Sequence, residues 1–152
     1  MYRCVRQEGP LARVTPIVRI IPLSSAPVIS IVDDDESVRV ATTKLVRLHG
    51  FAAHGFASAE EFLNSPRLDD TSCLITDISM PGMSGLDLQR LLIAQGKRMP
   101  VIFMTAFPKE SSRARAMEAG AVDFLSKPFD GQTLINRLHA ALRSDQRSPT
   151  QK

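Results

Sequence analysis

Asp77 is the residue of this chain best placed for chemistry. It closes the run Cys73-Leu74-Ile75-Thr76-Asp77, in which four residues suited to a buried strand deliver one carboxylate to the strand's C-terminal end. Pro81, Gly82 and Gly85 then force an irregular loop before the next helix. In open parallel sheets, side chains at the carboxyl ends of the strands line the crevice where ligands bind. A charge there is a candidate for function. The plainer alternative for Asp77 taken alone is an Asp that starts a turn.

Further polar residues end other apolar runs. Val28-Ile29-Ser30-Ile31-Val32 leads into Asp33-Asp34-Asp35-Glu36, Ile102-Phe103-Met104 leads into Thr105, and Phe124-Leu125-Ser126 leads into Lys127-Pro128. Each has an ordinary explanation by itself. An acidic pair is favoured at a helix N-terminus by the helix dipole, a Thr suits a strand, and a Lys before Pro suits a surface. Their chemistry depends on whether the fold brings them together.

The elements that must position them follow from periodicity. Val28–Val32 is a β-branched strand, and Val38, Ala41, Leu45 and Leu48 recur at helical spacing until Gly50. Residues 51–56 form a second strand. Ser58-Ala59-Glu60-Glu61 is a capping box that opens a short helix ending before Pro66. After Cys73–Thr76 and the Asp77 loop, Leu86, Leu88, Leu91 and Leu92 mark a helix, and residues 101–104 a fourth strand. Residues 109–119 form a charge-rich helix stopped by Gly120. Residues 121–126 form a fifth strand, and Asp130 caps a last helix through Leu134, Ile135, Leu138 and Leu142. Five strands alternating with helices predict an α/β fold, a doubly wound five-stranded parallel sheet. The expected strand order is 2-1-3-4-5, which makes strands one and three neighbours and brings Asp33, Asp34 and Asp77 to one switch point.

Three carboxylates in one crevice repel each other, and a hard divalent cation relieves this most simply. One or two carboxylates with waters and a phosphate is the usual Mg²⁺ environment. A hydroxyl from Thr105 and an ammonium from Lys127 at the same edge can hold the oxygens of a transferring phosphoryl group, with Asp77 as nucleophile. Asp35 points away or caps the following helix.

The runs Val-Asp-Asp-Asp-Glu, Thr-Asp-Ile-Ser-Met-Pro-Gly-Met-Ser-Gly, Met-Thr-Ala and Gly-Ala-Val-Asp-Phe-Leu-Ser-Lys-Pro-Phe together resemble the receiver domain of two-component response regulators, most like the FixJ type, a CheY-like fold. The resemblance covers residues 28–143. It implies that Asp77 accepts phosphate from a sensor histidine kinase or phosphotransfer protein, and that Asp33, Asp34, Asp77 and the Ser79 backbone carbonyl hold Mg²⁺. It implies further that Thr105 and Lys127 contact the phosphoryl oxygens, that Lys127-Pro128 is cis, and that Phe124 stands at the aromatic switch position. The expected function is a single-domain response regulator, a phosphoacceptor rather than an enzyme acting on a separate substrate, which signals by phosphorylation-switched binding to a downstream protein that the sequence does not name. Alternatives are a phosphate sink or shuttle in a phosphorelay, and a receiver from a longer FixJ-type transcriptional regulator. The chain departs from that type in two ways. Only residues 144–152 follow, so DNA binding by this chain is not expected. Arg113 and Arg115 lie on the fourth helix where an apolar dimer face would be, so a monomer or a weak phosphorylation-dependent dimer is expected.

Composition sets outer bounds. At 152 residues with 43% hydrophobic content, one core is affordable without staples. The charge of +3 at pH 7 is carried by the basic ends, residues 1–27 and 143–152, leaving the body slightly acidic and without aromatic interleaving for nucleic acid. Residues 1–27 read as an irregular extension and 144–152 as a disordered tail. Val14–Leu23 is too short and too often interrupted to span a bilayer. Cys4 and Cys73 make no framework or metal spacing, so a cytoplasmic protein is expected. An aspartate-dependent phosphatase also uses a carboxylate nucleophile with Mg²⁺, but here no Thr follows the first acidic run and no substrate-covering cap segment is visible.

Overall fold

The computed structural model describes residues 26–147. Its elements are β1 (Val28–Val32), α1 (Glu36–Leu48), β2 (Ala52–Phe56), α2 (Ala59–Leu63), β3 (Cys73–Asp77), α3 (Gly85–Ala94), β4 (Val101–Thr105), α4 (Glu110–Glu118), β5 (Asp123–Ser126) and α5 (Gly131–Arg147), with a 3₁₀ turn at Pro66–Leu68. All four strand pairings are parallel, in the order β2-β1-β3-β4-β5. The expected doubly wound sheet is therefore the observed one.

Alternation along the central strands feeds two apolar layers, because successive side chains leave a strand on opposite faces. Cys73 and Ile75 of β3 and Ile102 and Met104 of β4 join Val46, Leu134 and Leu138 in one layer, under α1 and α5. Leu74, Val101 and Phe103 join Phe62, Leu88, Leu92 and Ala116 in the other, under α2, α3 and α4. Each fully buried side chain of this size contributes about 1.5–3 kcal/mol. Strands buried on both faces leave their C-terminal ends as the place where polar groups can gather.

The structure moves several expected boundaries and one face. Asp77 and Thr105 are the last residues of their strands, as expected of groups delivered at strand ends, while β5 begins at Asp123, not 121. Ser58 does cap α2, accepting from the Glu61 amide at 3.0 Å. The Glu61 carboxylate, however, reaches the Ala57 amide at 2.8 Å rather than that of Ser58. α5 runs through Arg147, past the expected boundary at 143. Residues 1–25 and 148–152 lie outside the described residues. The largest correction concerns α1, whose buried positions are Thr42, Thr43 and Val46. Leu48 is 82% exposed, and Val38, Ala41 and Leu45 line an open groove of about 590 Å³ shared with Pro128 and Phe129. Val38, Ala41 and Leu45 thus border the groove, Leu45 also packs against the first apolar layer, and Thr43 meets β2 at Gly55.

Candidate functional site

The switch between the β1-β2 and β3-β4 crossovers opens a crevice at the C-terminal ends of the strands. Side-chain oxygens of Asp33, Asp34 and Asp77 lie within 4.8 Å of one another there, the candidate metal cluster among the described residues. Asp33 follows β1 and is fully buried, and Asp77 ends β3 at 7% exposure, whereas Asp34 is exposed. Lys127, just after β5, bridges the two buried acids: its ammonium donates to Asp33 Oδ2 at 2.8 Å and to Asp77 Oδ2 at 3.3 Å. The Asp33 Oδ1 atom accepts the Asp35 amide at 2.9 Å, and Asp77 Oδ1 accepts the Ser79 amide at 3.4 Å.

Electrostatics follow from this arrangement. Burial pushes the Asp77 carboxyl above the ordinary carboxylate value; the Lys127 charge opposes this, and the neighbouring Asp33 charge adds to it. For Lys127 burial favours the neutral amine, yet its hydrogen bond to Asp33 and the charges of Asp77 and Asp33 prevail and raise it above its ordinary value. One ammonium is thus strongly held as a cation between two acids, with a third acid exposed alongside.

The main chain that carries Asp77 is tightly constrained. The Ile78 amide donates to Met104 O at 3.0 Å, and the Gly85 amide returns to Ile78 O at 2.9 Å. A Cβ at Gly85 would stand 2.2 Å from the Asp77 carbonyl oxygen, so only glycine lets α3 begin against the end of β3. Farther along the loop, the Glu60 carboxylate accepts the Met83 amide at 3.2 Å.

Thr105 is 2% exposed; its hydroxyl oxygen accepts the Phe107 amide at 3.1 Å. It lines a cavity of about 320 Å³ with Ile78, Ser79, Phe107, Lys109 and Ser112. Phe124 is half-buried on β5 against the second apolar layer. The Lys127-Pro128 peptide is cis. Asp35 caps α1, accepting the Ser37 and Val38 amides at 3.0 and 3.3 Å. Arg113 and Arg115 are exposed on α4, where Ala116 is the buried residue.

The structure therefore gathers Asp33, Asp34, Asp77 and Lys127, sets Thr105 at the neighbouring strand end, and keeps Phe124 at a distance on β5. Sequence reasoning placed Gly85 in the loop and Glu60 in a capping box but missed the close backbone approach at Gly85 and the bond from Glu60 to Met83. A glycine directly after the Ser84 cap is a poor helix starter, and that mismatch was the available signal for close backbone approach. Glu60 left no local signal, since its partner is 23 residues away.

The donors suit a small hard cation: all are carboxylate oxygens, with no sulfur or imidazole among them, and they lie within 4.8 Å of one another. No helix among the described residues is long and apolar enough to cross a membrane.

A family model described as the response regulator receiver domain matches residues 29–139. Nodulation protein W of Bradyrhizobium diazoefficiens is 42% identical over 124 residues, covering 82% of this chain and 55% of that protein. Response regulator protein TodT of Pseudomonas putida is 43% identical over 118 residues, covering 78% of this chain and 52% of that protein. The crystal structure of FixJ-N superposes with a TM-score of 0.71 at 36% identity, covering 78% of this chain and 95% of that one. The chain spans about half the length of these two curated relatives. With the sheet order, the strand-end residues and the match over residues 29–139 in agreement, the chain belongs to the receiver domains of response regulators.

Proposed function

We propose that Asp77 accepts a phosphoryl group, in a Mg²⁺-dependent step, from a sensor histidine kinase or phosphotransfer protein, and that the phosphorylated protein signals by binding another protein. The observation that carries this reading is the buried Asp77 carboxylate at a strand end, held by Lys127 beside Asp33 and Asp34. Asp33, Asp34, Asp77 and the Ser79 main-chain carbonyl would hold Mg²⁺. When bound, that ion supplies positive charge against the phosphoryl oxygens.

Asp77 is the nucleophile in this scheme. One of its oxygens bonds to phosphorus as the P–N bond of the donor's phosphohistidine breaks; the electron pair stays on the ring nitrogen and, with a proton, restores a neutral imidazole. The Lys127 ammonium, already on Asp77, shifts to a phosphoryl oxygen. The Thr105 hydroxyl oxygen accepts the Phe107 amide, so its proton is available to a second phosphoryl oxygen. Drawing Thr105 inward leaves space that the half-buried Phe124 ring fills, changing the surface of α4 and β5 where Arg113 and Arg115 stand.

Incubation with acetyl phosphate and Mg²⁺, followed by mapping of the acyl phosphate, tests the reading. Label is expected on Asp77 and absent from Asp77→Asn; wild-type labelling of that variant would reject it. A second reading, in which the same receiver serves a longer transcriptional regulator, draws on the relatives' lengths, since FixJ of Azorhizobium caulinodans is covered over 54% of its chain. Both readings share the chemistry at Asp77.

A further inference from the structure

Arg39, half-buried in the first turns of α1, sends its guanidinium back to the acidic turn, where Nη1 donates to the Asp33 main-chain carbonyl at 2.8 Å. That carbonyl lies just past the end of β1. The Asp33 amide still pairs with Phe56 O at 3.0 Å, but β2 ends at Phe56. Arg39 therefore supplies the donor where the ladder has run out. The cradle for its stem is Gly55 of β2: a Cβ there would stand 3.0 Å from Arg39 Cγ, 3.3 Å from Cδ and 3.2 Å from Thr43 Oγ1. Thr43 is itself tied down, donating to Arg39 O at 2.7 Å.

We infer that Arg39, seated on Gly55, is a positioning residue for the candidate cation site, an inference that rests on the Mg²⁺ reading above. Its hydrogen bond fixes the peptide plane between Asp33 and Asp34. The Asp33 carboxylate has further anchors in the Asp35 amide and Lys127. The Asp34 carboxylate is exposed and has no hydrogen-bond partner among the described residues, so its direction depends on the main chain that Arg39 holds. Groups that orient a metal's ligands commonly govern affinity by 10–100-fold.

The sign of the effect separates positioning from charge. A cationic side chain near an acidic site opposes cation binding, so removing Arg39 for its charge alone would tighten Mg²⁺ binding. Removing it as a positioning residue weakens binding. Gly55→Ala leaves every charge in place and disturbs only the seat, so it isolates the geometric part.

The experiment measures the thermal midpoint of the unphosphorylated full chain against Mg²⁺ concentration, since binding to the native state raises it. The half-saturating Mg²⁺ concentration is expected to rise roughly tenfold in Arg39→Ala, to rise less in Arg39→Lys and in Gly55→Ala, and to be no worse in the double variant Arg39→Ala/Gly55→Ala than in Arg39→Ala. A purely structural Arg39 would lower the midpoint without Mg²⁺ and leave the half-saturation where it was; that result, or tighter binding in Arg39→Ala, overturns the inference. Should Arg39→Ala fail to fold, unchanged half-saturation in Gly55→Ala overturns it equally. A wild-type protein with no Mg²⁺ response would overturn the Mg²⁺ reading itself, whereas a normal wild-type response with an unaffected Arg39→Ala rejects only the role of Arg39.

Discussion

Asp77 carries its charge at a cost, and the cost has a pH signature. Burial holds its carboxyl above the ordinary value of 3.8, with Asp33 adding to the shift and Lys127 opposing it. Between the ordinary and the raised value, the native state keeps a proton that the unfolded chain has lost, so stability falls as pH rises through that window and stays lower above it. Asp77→Asn removes the burden. Its thermal midpoint is expected to exceed wild type near neutrality, with the gap closing below 3.8, where Asp77 is protonated in both states. Calorimetry across the acid range checks this; a gap that does not change with pH would assign the gain to something other than the charge. The acidic residues and Lys127 were legible because each follows an apolar strand run directly, so a single local pattern announces both the strand and the group at its end. Arg39 and Gly55 were not. Their contact is set by the β1-β2 register and by the path of a long side chain, neither of which leaves a local pattern.

Helix α3 is set against β3, the strand that ends at Asp77, with no room to spare, because Gly85 abuts the Asp77 carbonyl. Gly85→Ala would force backbone apart from backbone, and overpacking of this kind costs about 1–3 kcal/mol. Urea denaturation is expected to show that loss, and acetyl phosphate labelling of Asp77 to slow with it. Unchanged stability together with unchanged labelling would mean that the loop relaxes freely. Most element types were readable from the sequence, since β-branched runs in β1, β3 and β4 alternate with helical periods and glycine stops, although β2 and β5 have no β-branched residue and the 3₁₀ turn at Pro66–Leu68 left no expectation. The face of α1 was not. Val38, Ala41 and Leu45 satisfy a helical period as well as a core stripe would, and hydrophobicity alone cannot tell a sealed interface from the open groove beside Pro128 and Phe129. Thr43 is buried where α1 comes close to Gly55 of β2 and satisfies its hydroxyl on Arg39 O, whereas Thr42, also buried, borders the groove.

At the scale of the whole molecule, both apolar layers, among the described residues, are built from residues Ile29 to Leu142. Deleting residues 1–25 is therefore expected to leave the thermal midpoint nearly unchanged, and a drop of many degrees in differential scanning calorimetry would show that the core depends on them. The candidate site spans almost the same range: Lys127 meets Asp33 across 94 residues and Asp77 across 50. Synthesis on the ribosome proceeds from the N-terminus, so the acidic groups emerge long before the cation that balances them. A nascent chain stopped short of β5 holds an uncompensated cluster of negative charge and an uncovered edge on β4, and neither fault can be repaired until the last strand is released. In the proposed scheme the crevice is thus also a check on synthesis, since chemistry at Asp77 that needs Lys127 is closed to any nascent chain stopped short of residue 127.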